Sequence, residues 1–64
     1  MSLEKIDAIK SLLDQLRQEY EKFDAKGNAV AGSRARKILQ DIKAGAQDLR
    51  ETIQEKKRQK DMLG

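Results

Sequence analysis

Apolar residues recur in the first part of the chain at Ile6, Ile9, Leu13, Leu16, Tyr20 and Phe23. The steps between them alternate three and four, which is the spacing of a heptad seam along one face of an α-helix. Leu12 lies beside this seam and widens the stripe. Charged pairs three residues apart, Asp7/Lys10, Asp14/Arg17 and Glu19/Lys22, give the outer face weak support. Ser2 can cap the helix, and Glu4 and Asp7 sit near its positive end. The pattern predicts a helix over about residues 3–26.

A second stripe follows at Ala31, Ala35, Ile38, Ile42, Ala46, Leu49 and Ile53, and its mean step is close to the period of a straight helix. Leu39 lies off this stripe, as Leu12 lies off the first. Ala44, Gly45 and Ala46 form a notch of small residues. A glycine inside a helix costs ~1 kcal/mol relative to alanine, so close packing is the expected compensation. This pattern predicts a helix over about residues 29–60, with Met62-Leu63-Gly64 frayed. There is no proline to break either helix.

Gly27 and Asn28 stand between the two patterns. Glycine enters the left-handed conformation that ends a helix without a Cβ clash. Asparagine can cap the next helix through its side-chain oxygen. Residues 28–33 leave alternatives open, because Gly32 lowers helix propensity and Ser33 can also serve as a cap. A longer loop or one continuous helix is compatible with the same stretch.

Folding the chain at Gly27-Asn28 sets Phe23 opposite Ala31, Tyr20 opposite Ala35 and Leu16 opposite Ile38. Further from the corner, Leu13 meets Ile42, Ile9 meets Ala46 and Ile6 meets Leu49. Large rings facing small alanines let two helices interdigitate. The expected fold is therefore all-α: one domain over residues 1–64, an antiparallel two-helix hairpin. Two helices cannot enclose a core, and Leu12 and Leu39 are left as flank positions facing water. Pairing of two hairpins into a four-helix bundle, with Leu12 and Leu39 at the oligomer interface, would bury them. A partly molten monomeric hairpin is the alternative, since a chain of this size buries only ~60% of its unfolded surface. The second helix also outruns the first, leaving residues 54–60 as about 10 Å of basic helix without a hairpin partner.

Composition narrows the chemistry. The 64 residues include no cysteine and no histidine, which removes disulfides and the usual nitrogen and sulfur zinc sites. No Ser–base arrangement supports nucleophilic catalysis, and no carboxylate sits in an apolar setting that would raise its pKa toward a working value. Glu51 and Glu55 share a helix face, but two carboxylates fall short of a cation site. Gly32-Ser33-Arg34 lacks the Gly-Lys-Ser/Thr ending of a phosphate-binding loop. Neither enzyme, metal, cofactor nor small-molecule substrate is expected. No apolar run is long enough for a membrane span, and Glu4, Lys5 and Asp7 interrupt any signal-like segment, so a cytoplasmic protein is expected. The only two aromatics lie in the seam, which speaks against an interfacial membrane helix.

Charge is the informative remainder. Residues 1–32 carry five Lys/Arg against six Asp/Glu, or −1, and residues 33–64 carry nine against five, or +4. Such asymmetry points to a polyanion partner for the second half. Two clusters are the candidate phosphate contacts: Arg34, Arg36 and Lys37, then Lys56, Lys57, Arg58 and Lys60. They lie roughly 33 Å apart on a helix, close to one turn of duplex DNA. Contacts of this kind release counterions and give salt-sensitive affinity for DNA or RNA without reading bases. The competing reading is that both clusters are ordinary solvated surface.

The run KGNAVAGSRARK, with a heptad-like helix before it and a Leu/Ile helix after it, resembles a known family. It is similar to the N-terminal domain of the chlamydial linker-histone-like nucleoid proteins and their short bacterial relatives. The matching positions are Lys26, Gly27, Asn28, Gly32, Arg34, Arg36 and Lys37. The resemblance implies a helical protein of the nucleoid that binds DNA and takes part in chromosome compaction. It implies Gly27 and Asn28 as structural residues and Arg34, Arg36 and Lys37 as phosphate contacts. In longer members much of the DNA affinity is attributed to a Lys/Ala-rich tail, and no such run occurs in these 64 residues. The part present resembles the region linked to self-association. The expected function is sequence-independent DNA binding by a homo-oligomer; the alternative is a protein–protein interaction module without nucleic-acid binding.

Overall fold

The computed structural model describes residues 3–63. Helix α1 spans Glu4–Lys26 and helix α2 spans Ala29–Leu63. The Ser2 cap lies outside the described residues. The first position before α1 is Leu3, which offers no side-chain cap. At the other end of the chain α2 continues as helix to Leu63, beyond the expected end near residue 60.

Each residue of the corner does one job. Gly27 takes φ +64°, and its N–H donates to the Phe23 carbonyl at 3.0 Å. That closes the end of α1 in the left-handed conformation glycine adopts freely. Asn28 then caps α2: its Oδ1 accepts from the backbone N–H of Val30 at 3.0 Å and of Ala31 at 3.2 Å. Two of the four orphan donors at a helix start are thereby satisfied. The longer loop and the continuous helix are both excluded, since Ala29 onward is already helical and the chain reverses at residues 27–28.

Close approach follows from the small residues at the corner. Ala31 and Ala35 are the buried residues among those described, at 1% and 6% exposure. A Cβ added to Gly32 would come within 2.7 Å of the Phe23 ring, so the ring lies directly over the glycine backbone. The Tyr20 and Phe23 rings stand 6.5 Å apart and tilted by 50°. Further along, Ile9 packs on Gly45, whose added Cβ would meet it at 3.3 Å. At the open end the Lys5 ammonium donates to Thr52 Oγ1 at 2.8 Å and pairs with Asp48 Oδ2 at 3.1 Å. The pair is largely in water and contributes at most ~1 kcal/mol.

The inner faces differ in detail from those the apolar stripes predict. On α1 the half-buried residues are Lys5, Ile9, Leu12, Leu16 and Glu19. Leu12, expected to face water, belongs to this inner row, whereas Ile6, Leu13, Tyr20 and Phe23 are 42–55% exposed. On α2 the inner row is Ala31, Ala35, Ile38, Ile42, Gly45, Leu49 and Thr52, with Ala46 and Ile53 turned outward. Both inner rows keep an alternating four-three step, so the helices track each other with the 3.5-residue period of a coiled coil. The physical reason is width. A stripe four positions across exceeds what one neighbouring helix can cover, so one edge of it is covered and the other is left in water.

Candidate nucleic-acid interface

The heptad frame gives the hairpin two unlike sides. In an antiparallel pair, the residues just after the inner row on each helix share one side. Here that side carries Ile6, Leu13 and Tyr20 from α1 and Leu39 and Ile53 from α2, all exposed. Shallow grooves run along it. One near the corner is lined by Tyr20, Phe23, Arg36 and Leu39, and one near the open end by Leu3, Ile6, Ile53 and Lys56. The opposite side is polar, with a groove lined by Gln15, Gln18, Glu19, Arg34, Lys37 and Asp41.

All seven candidate phosphate contacts are exposed, but the structure does not hold the first cluster together. Arg36 stands on the apolar side, while Arg34 and Lys37 border the polar groove. The Arg34 guanidinium leans toward Glu19, with Nη1 3.9 Å from Oε2. Glu19 is also 3.7 Å from the Lys22 ammonium, and its half-buried carboxylate accepts no hydrogen bond through Oε2 among the described residues. In the second cluster, Lys56, Lys57 and Lys60 line a groove with Ile53 beyond the start of α1, and Arg58 does not line it. Leu39 is 50% exposed on the apolar side.

Two cations that adjacency in sequence passes over, Lys43 and Arg50, fall into place once α2 is helical. They lie seven residues from each other and from Arg36 and Lys57, so the four stand in one row on one side of α2. Counting by sevens rather than by neighbours would have found them. On the other flank of α2 Asp41, Asp48 and Glu55 repeat with the same spacing. Glu51 accepts a hydrogen bond from Gln47 at 3.4 Å, and no group of three or more potential metal ligands occurs among the described residues. No helix among them is long and apolar enough to cross a membrane.

Comparison with known proteins agrees with the KGNAVAGSRARK resemblance. A family model described as histone H1-like protein Hc1 matches residues 3–59, which includes the whole of α1, the corner and nearly all of α2. No curated protein and no solved structure matches. The matched span covers most of the 64 residues, and the chain belongs to the histone H1-like Hc1 family.

Proposed function

We propose that this protein is a small nucleoid-associated protein that binds DNA without sequence preference and associates with itself. Membership of the histone H1-like family carries the reading, since that family is one of structural DNA-binding proteins. The placement of charge supports it: the excess of positive charge lies in residues 33–64, nearly all of them on one long exposed helix. Phosphate neutralisation by such a surface gives affinity that falls steeply with salt and is indifferent to sequence.

The test is fluorescence anisotropy of labelled random-sequence duplexes titrated across a salt series. The expected result is a linear fall of log affinity with log salt, with the same slope for unrelated sequences. An absence of binding at low salt would remove the DNA reading and leave an association module.

Self-association is supported by the exposed apolar side. Leu13, Tyr20, Leu39 and Ile53 are each about half exposed or more, and among the described residues the two helices have no other element to cover them. Burial of such side chains against a second hairpin would gain ~25 cal/mol for each Å² removed from water. Leu39 keeps the interface role assigned from sequence, and Leu13 takes the place of Leu12, which is half-buried within the hairpin.

A further inference from the structure

Resting on the nucleic-acid reading, we infer that the phosphate-contacting surface is the single row Arg36, Lys43, Arg50 and Lys57, not the two clusters formed by sequence neighbours. Successive members are ~10.5 Å apart along α2 and the row is about 32 Å long. All four are exposed. Because the inner face of α2 repeats at the heptad period, residues seven apart keep to one side of the hairpin along its whole length, here the outer edge of the side that also carries Leu39 and Ile53.

Among the described residues no ion pair involves the row. The same-face neighbours of a helical residue lie three and four positions away. For Arg36, Lys43 and Arg50 these are Gly32, Ser33, Leu39, Gln40, Ala46, Gln47, Ile53 and Gln54, with no carboxylate among them. Lys57 has one, Asp61. The ion pairs among the described residues fall elsewhere: Lys5–Asp48, Arg17–Glu21, Lys22–Glu19 and Arg34–Glu19. A cation without a carboxylate neighbour keeps its charge for a polyanion, and no internal contact has to break on binding. Gln40, Gln47 and Gln54 run beside the row, and their amides can donate to phosphate oxygens.

The acidic flank of α2 acts in the same direction. Asp41, Asp48 and Glu55 make the helix polarised across its width, so the field of a polyanion turns the row inward and the carboxylates away. Arg34 and Lys37 are placed differently. They border the polar groove with Glu19 and Asp41, and Arg34 pairs with Glu19 at 3.9 Å. A straight row of this length spans about one turn of duplex, ~34–36 Å.

Two double variants of the full chain with the same net charge separate the row from the clusters. K43Q/R50Q removes two members that neither cluster contains, and R34Q/K37Q removes two cluster members outside the row. Each lost phosphate contact lowers the salt slope by ~0.9, so K43Q/R50Q is expected to lower it by about 2 and R34Q/K37Q by less than 1. Equal losses, or a larger loss in R34Q/K37Q, overturn the row. No binding by the unaltered chain overturns the DNA reading itself, and the row with it. Lysine acetylation of the unaltered protein, with and without duplex, guards against a variant that loses helicity. Protection of Lys43 and Lys57 but not of Lys22 and Lys37 is expected; uniform or reversed protection overturns the row.

Discussion

At the scale of single residues, the corner is held by Gly27 and Asn28 acting through the backbone. Asn28 satisfies two N–H groups that water would otherwise have to serve. Asn28→Ala is expected to cost ~1 kcal/mol of stability, read from the denaturant midpoint by far-UV circular dichroism. Gly27→Ala meets no neighbouring atom, yet it places a Cβ at φ +64°, so a loss of about 1 kcal/mol is expected from conformation alone. An unchanged midpoint for either variant would mean that the corner is not what sets the reversal. Both residues were legible in the sequence because each works on its own backbone. Gly32 was not. Read alone it is a weak helix former, and only the Phe23 ring lying 2.7 Å from where its Cβ would be gives it a purpose.

At the scale of elements, the two apolar stripes were legible as helices, but the choice of inner edge was not. Leu12 and Leu13 are neighbours of the same type, and the hairpin half-buries the first while leaving the second 49% exposed. That asymmetry makes a paired prediction. Leu12→Glu sets a charge on the face toward α2, where desolvation penalises it, and should lower helicity and stability together. Leu13→Glu sets the same charge in water and should leave monomer helicity intact. Circular dichroism on both variants checks this, and identical losses would show that the inner edge lies elsewhere. Lys5 and Glu19 close the inner row of α1 with polar ends on long stems, which hydrophobic counting alone passes over.

At the scale of the whole molecule, the protein is a rod of 55 × 15 × 11 Å, two helices wide. Among the described residues no side chain of large volume is fully buried. A rod this thin exposes its apolar side along its length, and the proposed pairing of two such sides would give it a core. Leu39→Glu is therefore expected to lower the mass measured by sedimentation or light scattering while helicity of the hairpin persists. An unchanged mass would remove this side as the interface. The charges are arranged at the same scale: cations run along one flank of α2 and carboxylates along the other, so the molecule's modest +3 understates the field its basic side presents.

The number of helices, the place where they reverse and the half of the chain that carries positive charge could all be read from the order of residues alone. These depend on local periods, on the backbone freedom of glycine, on a capping side chain and on simple counting, all of which act within a few residues. The KGNAVAGSRARK segment gave the family for the same reason, as an uninterrupted local run. Only the tertiary structure decided which edge of each stripe is covered, which glycine lies beneath a ring, and that Arg34 and Arg36 stand on different sides of the hairpin. Those outcomes depend on how far each helix rotates against its neighbour. That rotation is set by the packing of Ala31, Gly32 and Ala35 against α1 at the corner, a contact between residues that the chain itself does not place side by side.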